Sequence, residues 1–304
     1  ALQTQAARMP HIMLGGIIHE PARTLSHRLA RLAPGDLNHI FFADSGSVSV
    51  EVALKMAIQY WQNQGQDKSQ LIHFNNAYHG DTFGAMSVCD PVDSMHHRFH
   101  ALLPQHHCCL LPQTEADWST LEETFRTHAN HIAALIIEPL VQGACGMVMH
   151  PPSTLKRLRA LCSTYQVLMI VDEVFTGFGR TGTFFAVEQA NIVPDILCLG
   201  KALTGGLLTL SATVARTPIY QAFYHEDAER CFMHGPTYLG NPLACHVANA
   251  NLDLFEQEPR LAQVAAIAAQ LEAELQPCAS LPQVASVQVL GAIGAITLKE
   301  EIRW

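Results

Sequence analysis

Two residues stand out for chemistry, a lysine and an acid that each close an apolar run. In Pro194-Asp195-Ile196-Leu197-Cys198-Leu199-Gly200-Lys201-Ala202-Leu203-Thr204-Gly205-Gly206, Lys201 lies between a strand-like stretch and a glycine pair. A lysine closing a buried strand is costly while charged, so burial is expected to lower its pKa and leave the amine nucleophilic. Such an amine is suited to condensing with an aldehyde. In Leu168-Met169-Ile170-Val171-Asp172-Glu173-Val174, four apolar residues run into two carboxylates, the pattern of a buried strand ending in acid. A lysine that merely starts a helix after a strand is the plain alternative, so the case depends on the surrounding elements.

In an open α/β sheet the carboxyl ends of the strands line the ligand crevice, which lets Asp172 and Lys201 face one ligand from neighbouring strands. A Schiff-base lysine with an acid that keeps a pyridine nitrogen protonated is the pairing pyridoxal phosphate requires. Asp172 takes that role, with Glu173 as an orienting neighbour. The phosphate cradle is read at Phe41-Phe42-Ala43-Asp44-Ser45-Gly46-Ser47, directly before a helix, because N–H groups at a helix N-terminus bind anions. A serine cap and a glycine turn without a ligand would look the same locally. The helix expected over 48–61 has its apolar residues at helical spacing, with Glu51 and Lys55 as an exposed supporting pair.

The remaining pattern supplies a scaffold. A helix is expected over 21–32, and a short strand over 70–74 leads into Tyr78, an aromatic placed to lie flat on a ring. A buried strand over 133–137 ends in Glu138, which reads equally well as a structural acid. A helix over 152–165 then returns the chain to the Asp172 strand, and strand, helix, strand implies a parallel crossover. A strand over 207–214 follows, then helices over 242–256 and 259–275, then two β-runs over 284–290 and 295–298. The fold class is α/β.

Composition narrows the partners. With 304 residues, 49% hydrophobic and 15% charged, the chain is a globular protein able to bury a large core. A net charge of −9 argues against nucleic acid or an anionic membrane surface as partner. No apolar run reaches membrane-spanning length; the run from Ile132 to Val141 is broken by Glu138 and Pro139. Nine cysteines without a Cys-x-x-Cys pair suit reduced thiols and a cytoplasmic enzyme. Adjacent residues rarely aim at one ion, so His106-His107-Cys108-Cys109 is not read as a metal site. Neither Phe178-Gly179-Arg180-Thr181-Gly182 nor Gly200-Lys201-Ala202 completes a P-loop.

Four stretches, in order, carry a family resemblance: 43–53 (ADSGSVSVEVA), 78–88 (YHGDTFGAMSV), 199–206 (LGKALTGG) and 234–244 (HGPTYLGNPLA). Together they resemble the class III pyridoxal-phosphate-dependent aminotransferases. Their wording is most similar to the biotin-pathway branch, the adenosylmethionine-8-amino-7-oxononanoate aminotransferases. The resemblance implies a fold type I transferase. Its large domain, with a mostly parallel sheet, would span residues 1–240, and linker helices with the start of a small α+β domain would span 241–304. It implies that Lys201 binds the coenzyme and moves protons, that Asp172 holds the ring nitrogen, and that Tyr78 stacks on the ring and touches substrate. Ser45, Gly46, Ser47 and His79 would contact the coenzyme, and Gln142 its phenolic oxygen. Gly235 would meet substrate, while Pro236 and Thr237 would reach the phosphate of a partner in a homodimer. S-adenosylmethionine and 8-amino-7-oxononanoate are the implied substrates. By the same resemblance Ala1 reads as a truncation, because family members begin earlier with pocket-lining aromatics. Arg303 lies too near the small-domain start to be the arginine that contacts substrate carboxylate. The alternatives are an ω-amino acid or ornithine aminotransferase, or a fragment that binds coenzyme or dimerises without catalysis.

Overall fold

The computed structural model describes residues 1–92 and 95–299; Arg303 lies outside them. Along the chain come α1 (Leu2–Arg8), α2 (Glu20–Leu32), β1 (Leu37–Ala43), α3 (Gly46–Asn63), β2 (Gln70–Phe74), α4 (Phe83–Met86), β3 (His107–Cys109) and α5 (Glu115–His128). They are followed by β4 (Ile132–Ile137), β5 (Val141–Gln142), β6 (Val148–Met149), α6 (Pro152–Thr164), β7 (Leu168–Asp172), α7 (Val187–Ala190), β8 (Ile196–Leu199), β9 (Ser211–Arg216) and α8 (Thr217–Phe223). The last are α9 (Pro242–Gln257), α10 (Arg260–Leu275), β10 (Val284–Leu290) and β11 (Ile293–Leu298).

A seven-stranded sheet in the order β1-β9-β8-β7-β4-β2-β3 forms the centre. The strands from β8 to β3 pair in parallel, with Ala134 opposite Leu168 and Asp172 opposite Cys198. Two antiparallel steps, β8 to β9 and β9 to β1, turn β1 back to the common direction. The carboxyl ends of β1, β2, β4, β7 and β8 therefore lie at one edge of the sheet. That edge is where such a sheet binds ligands.

Both faces of the sheet are covered, which is why its strands read as continuous apolar runs. In β7, Met169 and Val171 join one core cluster with Leu25 and Leu29 of α2 and Phe125 of α5. Leu168 and Ile170 join the other, against Val52, Ala53 and Trp61 of α3. The indole N–H of Trp61 donates to the Ala133 carbonyl at 2.8 Å and docks α3 onto β4. Asp195 accepts the Met169 N–H at 2.8 Å and an Arg159 guanidinium hydrogen at 2.6 Å, fixing the start of β8 against β7. Local signals set the helix ends: Ser45 caps α3 by accepting the Val48 N–H, Thr114 and Asp117 form a capping box on α5, and Asn241 caps α9 ahead of Pro242.

The strand expected over 207–214 forms later, at Ser211–Arg216. The Gly205-Gly206 turn, with positive φ at both glycines, and the segment after it occupy the earlier positions. β10 and β11 form a separate antiparallel hairpin, as β5 and β6 do. The Ala292 N–H at the tip of the β10–β11 hairpin donates to the Arg180 carbonyl at 2.8 Å.

Candidate active site

Every parallel strand near the sheet centre delivers a polar residue to the shared edge. β2 leads to Tyr78 and His79, β4 to Glu138, β7 ends in Asp172, and β8 is followed by Gly200 and Lys201. β1 runs into Ser45 and the start of α3. A cavity of about 350 Å³ opens among them, lined by Gly46, Ser47, Tyr78, His79, Glu138, Asp172 and Lys201. Val174, Phe175, Gly143, Ala144 and Met147 complete much of its wall. That volume is in the range of small-molecule sites.

Asp172 is buried and anchored on both carboxylate oxygens. Oδ2 pairs with His79 Nδ1 at 2.8 Å, between side chains that are 6% and 0% exposed, and Oδ1 accepts the Val174 N–H at 3.1 Å. Glu173 turns the other way. Its carboxylate accepts the Ala186 and Val187 N–H groups at 2.8 and 2.9 Å and the Thr176 hydroxyl at 3.2 Å, so it organises the loop after β7 instead of orienting a ligand. Burial pushes the Glu173 carboxyl up to about 7.

Lys201 does not sit as expected. It is exposed, with its Nζ 5.1 Å from the centroid of the Phe175 ring, so burial by the chain is not what would activate its amine. Its backbone is left-handed, φ +42°, a costly conformation for a residue with a side chain. Such strain is found at functional sites when the surroundings enforce it.

Tyr78 is half-buried at the cavity wall, and its phenol donates to Asp81 at 2.9 Å. Burial, and then the bond to Asp81, raise its pKa. At the α3 end, Gly46 and Ser47 line the cavity and carry helix-initial N–H groups, which have no intrahelical acceptor. Ser45 is exposed as the cap and does not line it. Gln142 also lies off the cavity wall: it is buried, its Nε2 donates to the Asn75 carbonyl at 2.7 Å, and its Oε1 is without a partner among the described residues. Gly235 and Thr237 are exposed and Pro236 half-buried, and all three lie outside the cavity lining. A Lys55–His234 contact of 3.2 Å ties their loop to α3.

Sequence reasoning missed Phe175, although an aromatic a few residues past a strand end was the same signal that singled out Tyr78. The residues present fit pyridoxal phosphate on three counts. The helix-initial N–H groups suit a phosphate, the anchored carboxylate of Asp172 suits a ring nitrogen, and the free amine of Lys201 suits an aldehyde.

Comparison with known proteins agrees. The family model described as aminotransferase class-III matches residues 1–303. The chain is a class III aminotransferase. Enzymes of this family depend on pyridoxal phosphate, and the chain is accordingly a transaminase. It is 46% identical to the adenosylmethionine-8-amino-7-oxononanoate aminotransferase of Buchnera aphidicola from Acyrthosiphon pisum, over 99% of this chain and 72% of that one. The Mycobacterium leprae enzyme of the same name is 44% identical over 97% of this chain and 69% of its own length. Among solved structures, the enzyme of that name from Methanocaldococcus jannaschii superposes with a TM-score of 0.92 at 34% identity, covering 98% of this chain and 69% of that one. A PLP-bound amine transaminase from an uncultivated Pseudomonas species gives 0.91 at 33% identity, covering 98% and 71%. The nine cysteines of this aminotransferase form no disulfide among the described residues, and none of its helices there is long and apolar enough to cross a membrane.

Proposed function

We propose that this aminotransferase moves an amino group from S-adenosylmethionine to 8-amino-7-oxononanoate, with Lys201 as the coenzyme-binding lysine and Asp172 as the partner of the ring nitrogen. The observation that carries the residue assignment is the convergence of Asp172, Lys201 and the α3 N-terminus on one cavity at the sheet edge. The substrate pair rests on the activity for which the relatives are named, several of them 44–46% identical over nearly the whole chain.

When bound, pyridoxal phosphate supplies an aldehyde that takes up the donor's amine and a ring that spreads the electron pair left when the donor carbon loses its proton. The Lys201 amine would take that proton and hold it for return, acting as general base and then as acid. Asp172, held by His79 and the Val174 N–H, would keep a ring nitrogen protonated. Gly46 and Ser47 hold the phosphate by their N–H groups, with Ser45 fixing the turn of the helix start. Tyr78, on the cavity wall, would flank the ring and meet substrate, while His79 orients Asp172. Gln142, off the cavity wall, keeps its buried amide oxygen without a partner among the described residues.

Residues 1–240 are assigned to the coenzyme-binding unit, and 241–304 to linker helices and the start of a second, smaller one. Gly235 and Thr237, exposed, and the half-buried Pro236 between them, all away from their own cavity, suit a homodimer in which this loop serves the partner's site. A reducing cytoplasmic setting suits nine cysteines that form no disulfide among the described residues.

Two measurements test the reading. Borohydride treatment of the yellow protein is expected to fix the coenzyme on Lys201, located by peptide mass, with no fixed label in Lys201→Ala. Turnover of the oxo acid with S-adenosylmethionine, and not with ornithine or 4-aminobutyrate, is expected. The reverse donor preference rejects the substrate assignment and favours an ω-amino acid or ornithine enzyme.

A further inference from the structure

Glu138 takes no part in the chemistry above, yet it lies in the cavity wall and is only 5% exposed. As the first residue after β4 it stands between two loops. Its Oε1 accepts the Tyr78 N–H at 3.1 Å from the loop after β2, and its Oε2 accepts the Gly143 N–H at 2.9 Å from the loop after β5. Gly143 has no slack on its other side. A Cβ there would stand 2.8 Å from Cδ1 of Phe175, so this backbone is wedged between the Glu138 carboxylate and the Phe175 ring. One carboxylate thus gathers Tyr78, Gly143 and, through packing, Phe175, three of the residues that shape the cavity.

We propose that Glu138 is a positioning residue: its carboxylate clasps the Tyr78 and Gly143 backbones across the coenzyme cavity, and protonation releases one of them. An ionised carboxylate is acceptor-only and can serve both N–H groups, whereas the neutral acid turns one oxygen into a donor. The clasp is poised to respond near neutral pH. Burial pushes the Glu138 carboxyl up to about 7, with His79 opposing the rise and Asp172 adding to it. The titratable groups facing it are His79 and Asp172 within the site, the Cys89 thiol, and His150, whose Nε2 lies 3.0 Å from the Glu138 carbonyl oxygen. The site should be held more tightly as pH rises through about 7.

This inference rests on the cavity being the coenzyme site, so its first readout uses the protein free of coenzyme. Hydrogen exchange is followed at the Tyr78 and Gly143 amides at pH 6, 7 and 8, corrected for intrinsic rates, in the wild type, Glu138→Gln and Glu138→Ala. A bond to a carboxylate is worth about tenfold or more in protection. In the wild type, protection of at least one amide is expected to rise about tenfold across neutrality. Glu138→Gln, which keeps the shape and one acceptor, is expected to protect one amide with no pH dependence, and Glu138→Ala neither. The affinity for pyridoxal phosphate, titrated by absorbance, should follow the same order, with pH dependence near 7 in the wild type alone. A wild-type exchange pattern flat in pH, or a Glu138→Gln profile identical to wild type, overturns the clasp. Exchange that changes as expected while coenzyme affinity stays equal in all three proteins overturns the positioning role. Failure of the wild type to bind the coenzyme would instead overturn the reading of the cavity, while the exchange data still decide the clasp.

Discussion

The pairing of His79 with Asp172 offers the sharpest quantitative test, because a weak surface contact and a buried polar bond differ several-fold in energy. The nitrogen–oxygen distance is 2.8 Å, and the two side chains are 0% and 6% exposed. A bond to a carboxylate contributes about 1.5–3 kcal/mol, and a partner left alone in such a place keeps the full cost of lost hydration. His79→Leu removes the donor and strands Oδ2, while Asp172→Asn removes the charge. Measured by denaturant unfolding of the coenzyme-free protein, the two single variants and the double variant form a cycle. Its coupling energy is expected at about 1.5–3 kcal/mol, well above the few tenths shown by sites that do not interact. With an unfolding entropy of about 2 cal/mol/K per residue, a chain of 304 residues would show this as a coupling of about 2–5 °C in Tm. His79→Asn, whose amide nitrogen falls near the position of Nδ1, should recover most of the loss. A coupling below about 0.5 kcal/mol, or an asparagine variant no better than leucine, refutes the claim that this bond is what holds the acid in place.

Three further outcomes follow from the same geometry. Glu173, whose carboxyl is raised to about 7, binds a proton more readily folded than unfolded, so its contribution is fully present below about 4.5 and is lost as pH rises through 7. The loss is on the order of 3 kcal/mol, and Glu173→Gln should flatten the stability-against-pH curve over that window while losing some stability uniformly; an unchanged slope contradicts the assignment. Gly80 has φ +134°, and a Cβ on it would meet Ser47 Cα at 2.7 Å. Gly80→Ala should therefore cost about 3 kcal/mol or more in denaturation and weaken coenzyme binding, since it displaces the α3 start. Ser45→Ala removes the acceptor for the Val48 N–H and should cost about 1 kcal/mol with a smaller effect on coenzyme affinity, checked by the same two titrations.

The elements of this fold were mostly legible because each keeps one clear period. β2 is found at the residues expected, and α9 and α10 start and stop within about two residues of expectation. Asp172 and Lys201 were readable as a pair because parallel strands bring their ends to one edge, a consequence of topology that needs no detailed contacts. What failed to show were properties set by neighbours distant in sequence. Lys201 follows a buried strand but leaves it on a left-handed turn, so the side chain emerges exposed instead of being desolvated by the chain. Glu173 directly follows Asp172, yet the two carboxylates serve different loops. Glu51 and Lys55 have the spacing of a helical ion pair, but Glu51 accepts the Gly84 and Ala85 N–H groups, while Lys55 contacts His234. A tertiary partner with a backbone N–H to satisfy outweighs a few tenths of a kcal/mol from a solvated pair.

The left-handed backbone at Lys201 carries an evolutionary consequence. A non-glycine residue there costs on the order of 1 kcal/mol, whereas glycine adopts this conformation without that penalty. Were folding alone under selection, Lys201→Gly would be an improvement, and a lineage released from the need for transamination should drift toward it. A long, charged side chain at a position where the smallest residue would be more comfortable is thus what the proposed role of the amine calls for.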